Sequence, residues 1–152
     1  MYRNDGFRDL QRQACLRLPA KVPVGRIVYT RHALPAALPV NFCLEADGAV
    51  LLRTAAASEL ACAIDGAVVA FEADEADEAD EADAATHSGW SVVVTGSATV
   101  VTDPAEHERL AGTGPRFWLP SPREVFIRIE AELVTGRDLA DGSSMYGPGP
   151  SF

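Results

Sequence analysis

The chain has 152 residues, 47% of them hydrophobic and 23% charged, the size and composition of one globular domain with a single core. Its opening stretch carries charge throughout and lacks a signal peptide's apolar segment, and no apolar run reaches the ~18 residues of a membrane span, so a cytoplasmic protein without membrane contact is expected. The net charge of −9 is local: residues 72–83 read EADEADEADEAD, and without those eight acids 14 acids face 13 bases, which leaves no basic stripe for a nucleic-acid backbone.

Leu10, Ala14 and Leu18 recur at four-residue spacing, which predicts a helix over 9–18 that Pro19 and Pro23 stop; residues 1–23 form an N-terminal helical segment. Residues 24–29, rich in β-branched side chains, predict a first strand, with a turn region over 30–35. The next stretch alternates. Leu38, Val40, Phe42 and Leu44 share one face and are expected in the core, with Pro39, Asn41, Cys43 and Glu45 on the other. Asp47-Gly48 predicts a hairpin into a strand over 49–54, and Ser58 an N-cap for a short helix to residue 64. After Asp65-Gly66 a strand over 67–71 follows.

The acidic triplets stack like charges in a helix and suit a strand poorly, so 74–87 is read as a solvated, mobile loop. Residues 90–102 predict the longest strand, with Trp90, Val92 and Val94 on one face and Gly96 marking a bend or bulge. Asp103-Pro104 opens a helix to about residue 110, residues 112–122 form a loop carrying Phe117 and Trp118, and strands over 124–129 and 132–139 complete the domain. The expected architecture is mostly β, a closed or partly closed barrel of six to seven strands over 24–140 with a disordered tail over 141–152.

Few motifs carry chemistry. His32, His87 and His107 lack metal-ligand spacing, and neither a nucleotide-binding glycine loop nor a nucleophile elbow occurs. Cys15, Cys43 and Cys62 read as reduced core cysteines. The informative segment is LLRTAAASEL, residues 51–60: a strand ending in Arg53-Thr54, a small-residue turn and a Ser58-capped helix. A guanidinium fork and two hydroxyls suit an anion, while a salt bridge for Arg53 and a plain cap for Ser58 would account for the same residues.

The ordered segments VPVGRIVYTR, LPAALPVNFCLE, AVLLRTAAASEL, GAVVAFEAD, GWSVVVTGSATVV and FIRIEAELVTGR resemble the actinobacterial pyridoxamine 5′-phosphate oxidase-like proteins of the FMN-binding split-barrel superfamily, over about residues 15–139. The resemblance implies a split barrel, a homodimer with FMN at the subunit interface, and flavin-dependent oxidoreductase chemistry on a small-molecule substrate. It places the FMN phosphate on Arg53, Thr54 and Ser58, and the isoalloxazine ring beside Pro39, Val40 and Asn41, with Trp90 near the interface. Glu59 departs from the relatives, which commonly carry lysine there, and sets a carboxylate in the cradle. Two other readings stand beside this one: a split-barrel binding protein with weak or no FMN binding, and a dimer whose acidic loop recognises a basic partner.

Overall fold

The computed structural model describes residues 7–56, 58–77, 88–114 and 124–139. Eight strands form among them: β1 (Phe7–Asp9), β2 (Val24–Arg31), β3 (Leu34–Leu44), β4 (Val50–Ala55), β5 (Val68–Asp77), β6 (Ser88–Val100), β7 (Glu124–Ile129) and β8 (Leu133–Leu139). Three helices accompany them: α1 (Arg12–Arg17), α2 (Glu59–Ile64) and α3 (Pro104–Thr113). All pairings are antiparallel, in the order β1-β8-β6-β5-β2-β3-β4-β7, and a β6–β7 pairing closes six of the strands into a barrel. The mostly-β split-barrel expectation therefore holds.

Closure depends on β6. Thirteen residues long, it pairs β8 as far as Thr95 and β7 from Ala98. Gly96 lies between, where a Cβ would sit 1.8 Å from the Glu130 carbonyl oxygen. Only glycine lets that backbone pass. The interior fills from alternate residues of the six strands, among them Ile27, Leu52, Phe71, Val92, Val94, Ile127 and Ile129, and α2 adds Leu60, Ala61 and Ile64. A second cluster, Leu51, Leu110 and Phe126, packs α3 on the other face of β4 and β7.

Several boundaries differ from the sequence expectations. The helix over 9–18 shrinks to α1 followed by a 3₁₀ turn, Leu18–Lys21, because the residues before it bond to β8: Phe7–Asp9 form a strand and Leu10 N–H donates to Gly136 O at 3.0 Å. The turn region over 30–35 contracts to His32-Ala33, both at positive φ (50° and 63°), the left-handed geometry of a two-residue hairpin turn. Pro35 and Pro39 lie inside β3, which pairs only with β2 as far as Asn41 and so needs no N–H donor on its open side. The same open side leaves Leu38 41% exposed rather than in the core, since β4 joins β3 only from Phe42.

The acidic loop is a second correction. Residues 74–77 belong to β5, paired with β6 through Asp77↔Ser88, because ladder bonds to a strong partner override a poor strand propensity. The remainder of the loop, Phe117, Trp118, His87 and the tail lie outside the described residues. Of the three cysteines only Cys15 is buried; Cys43 is half-buried and Cys62 exposed on α2.

Candidate functional site

The informative segment runs along β4 into α2. Successive strand residues face opposite ways, and β4 applies this to the expected cradle. Val50, Leu52 and Thr54 face the barrel interior and α2, whereas Leu51 and Arg53 face α3. On the α2 side Thr54 Oγ1 donates to Ser58 Oγ at 3.1 Å, and Ser58 Oγ also accepts the Ala61 N–H at 3.1 Å, capping α2. A hydroxyl offers one donor and two acceptor positions. One of the pair's two hydroxyl hydrogens makes the bond between them, and the other remains available to donate.

On the α3 side Arg53 Nε donates to Glu124 Oε2 at 2.6 Å, a second guanidinium N–H reaches the same carboxylate, and Arg53 Cζ lies 5.2 Å from the Phe126 ring centroid. The two side chains are 21% and 15% exposed. His107 braces the arrangement: its Nε2 is 3.0 Å from Glu124 O, and its ring meets Phe126 edge-on at 5.1 Å between centroids. Arg53 thus stands apart from Thr54 and Ser58, although Thr54 is its immediate neighbour in the chain.

Glu59, the residue after the Ser58 cap, forms an ion pair with Arg31 at the end of β2. Both side chains are about half exposed. Arg31 immediately precedes the left-handed His32-Ala33 turn, so the tip of the β2–β3 hairpin delivers a guanidinium to the first turn of α2. Sequence reasoning missed this contact because the partners lie far apart in the chain and only the hairpin register joins them.

The remaining expected residues divide between faces. Pro39 and Asn41 share a face of β3, opposite Arg26 and Val24 of β2, and Asn41 Nδ2 donates to Pro23 O at 3.1 Å. Val40 points the other way and packs against the core. Trp90 lies on the interior face of β6 against the same core, and its buried indole Nε1 has no hydrogen-bond partner among the described residues. A buried N–H normally finds an acceptor, which marks this atom as one that a ligand, a water or a second chain would complete.

The sequence pattern of the pyridoxamine 5′-phosphate oxidase family matches residues 11–138. An uncharacterized protein of Mycobacterium tuberculosis, Rv0080, is 42% identical over 142 residues, covering 88% of this chain and 86% of its own. Among solved structures, the FAD binding protein of Mycobacterium smegmatis is 32% identical with a TM-score of 0.69, over 86% of this chain and 96% of its own. A conserved protein of unknown function from Corynebacterium diphtheriae is 31% identical with the same TM-score, over 88% and 98%. A solved structure from Bacteroides thetaiotaomicron, at 14% identity over 88% of this chain and 89% of its own and with a TM-score of 0.66, shares the architecture. With most of its length matched and the six-stranded barrel in place, the chain belongs to the pyridoxamine 5′-phosphate oxidase family.

Proposed function

We propose that this protein binds a flavin, with FMN as the expected form, and acts as a flavin-dependent oxidoreductase on a small-molecule substrate. The observation that carries the reading is the Thr54–Ser58 hydroxyl pair, which accepts internally and leaves a donor for an anionic oxygen. That donor set fits a phosphate. The charges beside it arrive already paired, Glu59 with Arg31 and Arg53 with Glu124. Thr54 and Ser58 are therefore the proposed phosphate ligands, with Arg31 as the adjacent cation; Arg53 joins them only by exchanging Glu124 for the phosphate. Pro39 and Asn41 are the proposed side-chain neighbours of the ring, and Val40, whose side chain faces the core, would join them only through its backbone. Bound flavin would supply the hydride chemistry, and the chain supplies binding, orientation and electrostatics.

The FAD binding protein of M. smegmatis, at 32% identity, supports FAD as the second form to test. We further propose a homodimer: Leu34 and Leu38 on the open side of β3 are 66% and 41% exposed, an apolar surface suited to a second copy. Titration with riboflavin, FMN and FAD, followed by flavin fluorescence, tests the reading. Ser58→Ala should weaken FMN at least tenfold and leave riboflavin, which has no phosphate, unchanged. A parent protein that binds none of the three refutes it.

A further inference from the structure

A groove of about 630 Å³ crosses the outer face of β8, β6 and β5, opposite the barrel core. The register lays out its floor in two adjacent rows. Glu72, Val93 and Thr135 are cross-strand neighbours in one, and Ser91, Arg137 and Asp9 in the other. None of these residues belongs to the flavin reading above.

Among the described residues, the charge on this face is unbalanced at its β5 end. Glu72 and Asp74, both facing outward on β5, bond the same nitrogen of Arg26 from β2, at 3.1 and 3.2 Å. Two carboxylates thus share one guanidinium. Asp9 and Arg137, directly opposite one another on β1 and β8, contribute one charge of each sign, and β6 adds no titratable group to the groove. A surplus negative charge therefore sits at a carboxylate that is only about a quarter exposed, where water solvates it poorly. Beyond it lie the apolar side chain of Val93 and the hydroxyls of Ser91 and Thr135.

We propose that this groove binds a small amphipathic amine, its ammonium seated on the Glu72 carboxylate on the groove side, away from Arg26, and its apolar body laid across Val93. The volume suits a drug-sized ligand. An ammonium offsets the surplus charge and gains a charge-assisted hydrogen bond, whereas a neutral isostere gains neither and an anion is repelled. In the ligand's absence a proton serves instead: burial first, then the neighbouring Asp74, push the Glu72 carboxyl up to about 7. Amine and proton compete for one position, so amine affinity rises as pH increases through 7.

The test titrates ¹⁵N-labelled protein with phenethylamine and with 2-phenylethanol, its neutral counterpart, and follows the backbone amides of Ser91, Val93 and Thr135. Phenethylamine should shift them saturably and the alcohol should not. Affinity for the amine should increase about tenfold from pH 6 to pH 8, as expected for displacement of a proton of pKa about 7. Glu72→Gln should lose at least tenfold and flatten the pH dependence. Asp74→Asn, which leaves Glu72 and Arg26 as a balanced pair, should weaken binding as well. Equal binding of alcohol and amine, shifts confined to other amides, an unchanged Glu72→Gln, or no binding at all would each overturn the proposal. Flavin affinity can be read in the same samples, so this result and that of the flavin reading stand separately.

Discussion

Glu59 offers the sharpest test of the phosphate site. Considered alone, a carboxylate beside a phosphate repels it: at ~6 Å and an effective dielectric of about 40 the repulsion is ~1.4 kcal/mol, or about tenfold in affinity. The Arg31 ion pair changes this expectation, because a guanidinium on the same carboxylate cancels most of the repulsion. Removing the cation alone, in Arg31→Ala, should uncover Glu59 and weaken FMN about tenfold while sparing riboflavin. Arg31→Ala/Glu59→Ala should return close to the parent, since neither charge remains. Glu59→Lys should gain tenfold or more, as the introduced ammonium and Arg31 then both face the phosphate. Half-exposed ion pairs contribute at most about 1 kcal/mol to stability, so these variants should melt near the parent temperature. Arg53→Ala is the contrasting control. It removes one partner of a largely buried pair, costs about 3 kcal/mol of stability, and leaves the Thr54–Ser58 side intact. Equilibrium titration of FMN and riboflavin, with thermal melts of every variant, measures both effects. If Arg31→Ala binds FMN as tightly as the parent, the assignment of Arg31 to the phosphate site is refuted.

Four further outcomes follow from the fold. Gly96→Ala places a Cβ against the Glu130 carbonyl and should lower the melting temperature by about 10 °C, the equivalent of ~3 kcal/mol in a domain of this size; an unchanged melt would mean that β6 shifts register at no cost. Deleting residues 78–83, between the end of β5 and the start of β6, should move the melting temperature by less than about 5 °C, because closure entropy varies slowly with the length of a connection, whereas a deletion that reaches into 74–77 cuts β5 and should be costly. Light scattering should give twice the 16.2 kDa chain mass at micromolar concentration; a monomer mass refutes the dimer. Glu72 holds its proton up to about pH 7 in the folded protein against about 4.5 in an open chain, so its contribution favours folding below pH 4.5 and is lost as pH rises to 7. Glu72→Gln should accordingly flatten the melting temperature over that range, and a parallel profile in parent and variant would contradict the assignment.

The fold was legible where local chemistry and tertiary demand agree. Asp47-Gly48, Ser58 and Asp103 each perform the turn or capping role that their side chains suit: Gly48 adopts φ +92°, Ser58 accepts from Ala61 N–H, and Asp103 accepts from Ala105 N–H. Legibility failed where a distant partner decides. Nothing within residues 74–77 favours a strand, but β6 and Arg26 hold them in one. Leu38 alternates correctly for a core position, yet β4 turns away before reaching it. The helix expected from residue 9 has the right spacing, but Asp9 and Leu10 bond β8 from the opposite end of the sequence.

The candidate site shows the same division at the scale of two residues. Adjacency in sequence made Arg53-Thr54 read as one cradle, although a period of two guarantees that neighbours on a strand face opposite ways. β4 is covered on both faces, by α2 on one and α3 on the other, so each residue of the pair meets a different environment. Arg53 becomes part of the α3 side through Glu124 and Phe126, while Thr54 meets the Ser58 cap. The cation paired with the residue after that cap arrives from the β2–β3 hairpin, whose length and left-handed turn decide where Arg31 ends. Charge at this site is therefore a property of which elements pack together, and Glu59, which reverses the sign expected from the segment alone, is answered by an arginine that the segment does not contain.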